Sequence, residues 1–188
     1  MRKRFVLGVV LTFALTGQAA AGLLPVHCNV TPEGADFRYT YSIQLQSGAV
    51  MQPGDYFTIF DFAGLTPQPV AQPPGFDYAT ANSGPVPSKL NPVDNGGVAN
   101  LTWTYQGDPV TGPADLGNFS AVSQYGQQTD GDFAAQTHRQ VDGHVNTNVT
   151  DTRVPVPSPP GVAEPSSFLL VLFGLPLALL LVRARRPD

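Results

Sequence analysis

The chain has 188 residues, with ten Lys and Arg against fourteen Asp and Glu and a formal net charge of −4. That acidic balance, in a chain where only 13% of residues are charged, excludes a basic surface for nucleic acid. The single cysteine, Cys28, excludes an intramolecular disulfide and leaves at most one sulfur for a metal.

In chain order, Met1-Arg2-Lys3-Arg4 is a basic n-region, Phe5 to Leu15 an apolar stretch, and Ala19-Ala20-Ala21 a small-residue cleavage site. This is the layout of a cleavable signal peptide read by the general secretion machinery, with the cut placed after Ala21. Residues 1–21 are expected to be lost and 22–153 to form one exported β-rich domain, long enough for its own core. Cys28 does not fit a lipoprotein site, because His27 stands where a small residue belongs. A small buried hydrophobe is its expected role, with an intermolecular disulfide as the alternative.

The body reads as strands. Asp36 to Gln46 alternates Phe37, Tyr39, Tyr41, Ile43 and Leu45 with polar residues, the period of a half-buried strand. Gln52-Pro53-Gly54-Asp55 turns the chain, and Tyr56 to Phe62 is rich enough in aromatic and β-branched residues for a central strand. Val98 to Tyr105 alternates again, and shorter strands are expected at Asn118 to Ser123, Phe133 to Val141 and Val145 to Val149. No exported segment sustains a 3.6-residue apolar period over ten positions. Several short strands with turns between them point to a single antiparallel β-sandwich, with Phe37, Tyr39, Tyr41, Ile59, Leu101, Trp103 and Phe119 in its core. Ala63 to Gly97, with seven prolines, reads as one long connection whose Phe76 and Tyr78 either pack it down or face a ligand.

Candidate chemistry is sparse. His138 and His144 lie six apart, not at the spacing of a two-histidine metal motif, and read as solvated surface residues. Asp130-Gly131-Asp132 resembles a fragment of a calcium loop but lacks its other ligands, and reads as a turn. Asp55 and Asp61 flank a strand; a glycosidase pair is conceivable, a structural Asp55 after Gly54 simpler. No nucleophile elbow or phosphate loop occurs, so no cofactor, metal site or catalytic residue is assigned and no enzymatic activity is expected. Asn29, Asn100, Asn118 and Asn148 each begin an N-glycosylation pattern, a common three-residue match.

The tail organises the rest. Val154 to Gly161 carries prolines at 155, 157, 159 and 160, which fix φ and remove backbone donors, so 154–161 is expected to be a stiff extended spacer. Residues 162–188 hold Val162-Ala163-Glu164-Pro165-Ser166-Ser167, an uncharged block from Phe168 to Val182, and Arg183, Arg185 and Arg186. The block's fifteen residues span roughly 22 Å as a helix, short for an inner membrane whose hydrocarbon core is about 30 Å thick. The arginines favour the cytoplasmic side, which puts everything before Phe168 outside. The basic n-region at the other end dictates the same topology. Six of the ten basic residues sit in these two ends. Without them, four remain against the thirteen carboxylates left when Asp188 is lost, a balance near −9 that suits solubility outside the cell.

This order of short motif, hydrophobic segment and terminal arginine cluster resembles the PEP-CTERM sorting signal of Gram-negative bacteria. The resemblance covers roughly the last 27 residues; Glu164 and Pro165 match the Pro-Glu-Pro motif, while Ala163 replaces its first proline. It implies a membrane-embedded cysteine enzyme, exosortase, as processing partner. The segments from Gln52 to Phe62 and from Asn100 to Tyr105 are similar to parts of other exported PEP-CTERM proteins, which implies a shared β-rich domain and no catalytic residues. The expected function is that of a structural or interaction protein at the cell surface or in an exopolysaccharide matrix. The alternatives are a carbohydrate-binding module stacking sugars on Trp103, Tyr105, Tyr56 or the loop aromatics, and a plain membrane-anchored envelope protein.

Overall fold

The computed structural model describes residues 22–158. The signal segment with Ala19 and Ala21, the sorting motif, the block from Phe168 to Val182 and the terminal arginines lie outside the described residues.

Ten strands follow one another: β1 (Leu23–Glu33), β2 (Asp36–Leu45), β3 (Ala49–Met51), β4 (Tyr56–Ile59), β5 (Phe76–Ala81), β6 (Asn100–Tyr105), β7 (Val110–Thr111), β8 (Ala114–Ser123), β9 (Gln127–Arg139) and β10 (Val145–Val156). All pairings are antiparallel, and no helix occurs among the described residues. One sheet runs β1-β2-β8. In the other, β6 lies between β5 and β4, and β9 takes β4 and then β3 on one edge while β10 pairs along the other. Short β7 lies against β3.

The alternation of β2 decides which face meets the core. Tyr39, Tyr41, Ile43 and Leu45 are buried, while Arg38, Thr40 and Ser42 are only half-buried on the other face. The sheets meet through rings. Phe57 of β4 stacks on Trp103 and Phe133 of its own sheet, with centroids 5.2 and 5.3 Å away, and meets Phe119 of the opposite sheet edge-on at 4.9 Å. Of the expected core, only Phe37 stays half-buried, packed near Gly126 at the end of the sandwich. Buried phenols are satisfied by backbone oxygens: Tyr39 donates to the carbonyls of Tyr125 and Gln127, and Tyr41 to that of Arg153. Burial pushes the Tyr41 hydroxyl well above its ordinary range and Tyr39 up to about 12.

Three expectations need correcting. The stretch from Ala63 to Gly97 is not one uninterrupted connection: β5 lies inside it and pairs with β6, and Ala71 and Ser120 exchange backbone bonds that cover the free edge of β8. Asp130-Gly131-Asp132 is not a turn but the extended middle of β9, paired with Asp151 to Arg153. The spacer does not begin at Val154, because β10 continues through Val156 and Val154 is buried in the core. Pro155 is compatible with that strand because β10 pairs on one side only, so a missing N–H need not break a ladder bond.

Candidate functional site

Where the chain leaves the domain, Pro157 borders a cleft of about 490 Å³. Val93, Val98, Val154 and Pro155 give it an apolar lining, and Asp61, Asp130 and Asp132 edge it with carboxylates. Local folding explains each. Asp61 follows β4 in a left-handed conformation, φ 57°, held by its own N–H to the buried Asn100 side chain (2.9 Å) and by its carboxylate accepting the Asn95 N–H (2.8 Å). Asp132 accepts the Val93 N–H at 2.6 Å, and Asp130 pairs with Arg153 at 3.0 Å. All three carboxylates thus hold the 93–95 loop or the β9–β10 pair in place. They bring no nucleophile or base together, and among the described residues no group of three His, Cys, Asp or Glu side chains has the geometry to hold a metal ion.

Asp55 is the other carboxylate singled out by sequence. It is fully buried, accepts the Gln52 N–H at 2.8 Å, and places both oxygens 3.1 Å from Nδ1 of His138. His138 is therefore not a solvated surface residue; it is half-buried on β9 against this carboxylate, whereas His144 is exposed. Asp55 and Asp61 flank opposite ends of β4. Strand spacing of about 3.3 Å per residue sets them on the order of 20 Å apart, beyond the ~5–9.5 Å of a glycosidase pair.

The aromatics offered to a glycan are mostly inside. Trp103 is fully buried and donates its indole N–H to Gln72 Oε1 at 3.1 Å, a partner supplied by the long connection. Tyr105 is 7% exposed and Phe76 8%, and Tyr78 tilts against Trp103 at 5.4 Å, so Phe76 and Tyr78 pack the connection down. Of these aromatics, Tyr56 and Tyr78 are half-buried. Cys28 is half-buried rather than fully inside, with Sγ 3.8 Å from the Arg153 carbonyl; desolvation raises its thiol to about 11, leaving it neutral at physiological pH. Asn100 is buried and Asn148 is engaged with backbone, so neither presents the free surface a glycan acceptor needs.

The residues assigned to sorting are Val162, Ala163, Glu164, Pro165 and Ser166, the stop Arg183, Arg185 and Arg186, and the cleavage residues Ala19 and Ala21. All lie outside the described residues. What the fold fixes is the geometry of the two ends that lead to them. Gly22 is held beside Asn148 near the start of β10, while the chain departs after Val156 at its other end. At about 3.4 Å per residue, those eight steps separate entry and exit by roughly 27 Å. No protein-family model and no curated protein matches the chain.

Proposed function

We propose that this chain is an exported β-sandwich domain, delivered by the secretion machinery and sorted by exosortase to the cell surface or an exopolysaccharide-associated matrix. In that role the domain acts as a structural or interaction protein, not as an enzyme. The observation that carries the reading is the order of the tail: Glu164-Pro165, an uncharged block from Phe168 to Val182, then Arg183, Arg185 and Arg186, matched by a basic signal at the other terminus. The fold is compatible with it. Val156 ends the last strand, and seven residues from Pro157 to Ala163 separate the sandwich from Glu164, of which three are proline. A chain of seven residues can span at most roughly 25 Å, which is the limit on how far the motif could stand from the domain before an enzyme embedded in the membrane.

The carbohydrate-binding alternative loses its strongest candidate with Trp103 buried, since a ring without an open face cannot stack on a sugar. Deleting Phe168 to Asp188 is expected to convert an envelope-associated protein into a periplasmic or released one. Cell fractionation reads the outcome, and an unchanged distribution would sink the assignment.

A further inference from the structure

Gly22 is the residue that cleavage after Ala21 would make the first of the mature protein, and the fold buries it. Its carbonyl accepts the Gln46 N–H at 3.0 Å. Asn148, on β10, clamps the start of the chain from the other side. Its Oδ1 lies 3.2 Å from the nitrogens of both Gly22 and Leu23, and its Nδ2 donates to the Leu23 carbonyl at 2.8 Å. Against the remaining side stands Thr137 of β9. A Cβ added to Gly22 would fall 2.2 Å from Thr137 Oγ1 and 3.3 Å from Asn146 Nδ2 and Asn148 Oδ1, so no larger residue fits without displacement. Thr137 is fully buried, and its hydroxyl has no hydrogen-bond partner among the described residues.

A buried hydroxyl without a partner is a cost the fold does not need, because valine would fill the same volume. It acquires a purpose when the peptide bond before Gly22 is gone. Hydrolysis of the Ala21–Gly22 amide leaves a carboxylate on Ala21 and an amine on Gly22. With an ordinary value of about 8, that amine is an ammonium at neutral pH. The single N–H of the uncut chain becomes three, and a charged donor at a buried residue must be matched by acceptors. Asn148 Oδ1 already accepts there, and Thr137 Oγ1 is the unspent oxygen beside it. We infer that Asn148 and Thr137 form a built site for the α-ammonium group of the processed N-terminus at Gly22, so that removal of the signal peptide completes the hydrogen bonding of the sandwich. The inference rests on cleavage after Ala21, and it adds that the domain reads the position of that cut through the missing side chain of Gly22.

The test uses the full chain, tail included, purified in detergent in two forms: the processed product, and a precursor kept uncut by Ala19→Asp with Ala21→Asp. N-terminal sequencing comes first; a processed chain beginning anywhere but Gly22 overturns the cleavage reading and this inference with it. With Gly22 first, Thr137→Val is expected to lower Tm by roughly 5–10 °C in the processed form, the range for losing a hydrogen bond to a charged group. In the precursor it should leave Tm within about 2 °C, because only an unpartnered hydroxyl is removed. Thr137→Ser, which keeps the oxygen, should restore most of the difference. The α-amine should also acylate at least about tenfold more slowly in the native processed protein than in urea, a protection that Thr137→Val removes. Equal Tm shifts in both forms, or an amine as reactive native as denatured, would overturn the site while leaving the sorting proposal intact.

Discussion

Phe57→Ala is expected to lower stability by about 3–5 kcal/mol, the range for truncating a buried aromatic ring. Phe57 is fully buried on a four-residue strand between β6 and β9, so both its neighbours in the sheet and the opposing sheet lean on one ring. Trp103, Phe133 and Phe119 surround it at 4.9–5.3 Å, with Phe76 at 6.4 Å. These neighbours are large and fixed by their own contacts, so the space left by the ring cannot close by a small shift. The remaining cavity adds to the lost transfer energy. At about 2.1 cal/mol/K of unfolding entropy per residue, the change corresponds to a Tm roughly 10–17 °C lower. Against a total stability of about 5–15 kcal/mol, that loss brings a domain at the lower end of the range close to unfolding. Val141, 86% exposed in the β9–β10 turn, supplies the control: Val141→Ala should shift stability by less than about 0.5 kcal/mol. Thermal melts that place the two variants within 2 °C of each other would mean that the two sheets are not joined through Phe57.

Asp55→Ala is expected to cost about 3 kcal/mol, or roughly 10 °C in Tm. The carboxylate ties the 52–55 turn to β9 through His138, while the backbone of the same turn bonds β6: the Gly54 N–H donates to the Tyr105 carbonyl, and the Tyr105 N–H to the Asp55 carbonyl. Truncation leaves the Gln52 N–H and the His138 Nδ1 facing an empty, water-poor space, and the stranded partners carry the penalty. Asp55→Asn keeps an oxygen for Gln52 while giving up the charge opposite the imidazole, so it should lose less than the alanine variant. A melt in which Asp55→Ala is as stable as the parent would show that the turn holds without its side chain.

Where the sequence pattern was informative, a physical constraint made it so. β2 reads from its alternation because one of its faces meets the core, and β4 reads from its composition because it lies between two other strands. β1 escapes notice: Pro25, His27 and Pro32 interrupt any pattern, and much of the strand is exposed along an edge that pairs only with β2. β3 and β7 are too short to show a period, and Val154 to Val156 look like spacer because proline usually ends a strand rather than riding on its edge.

The His138–Asp55 pair, 83 residues apart, and the grouping of Gly22 with Asn148, 126 apart, are products of topology that no local window contains. The one usable signal was Asp55 in its turn, which reads correctly as structural. Trp103 shows the opposite trap: an aromatic on an alternating strand is equally compatible with a sugar platform, and only the covering β8 sheet and Gln72 make it core. The proposed sorting signal rests on a different kind of pattern: a linear order of charge, apolarity and proline, which a membrane or a membrane enzyme would read without a fold.

The intact mass of the protein recovered from the envelope and the medium of its native host tests the sorting proposal most directly. A chain that begins at Gly22 and ends near Glu164 or Pro165 is the predicted product. A mass that still contains Phe168 to Asp188 in both fractions would contradict exosortase processing and leave a plain membrane-anchored domain, with Ala163 at the first motif position as the immediate suspect.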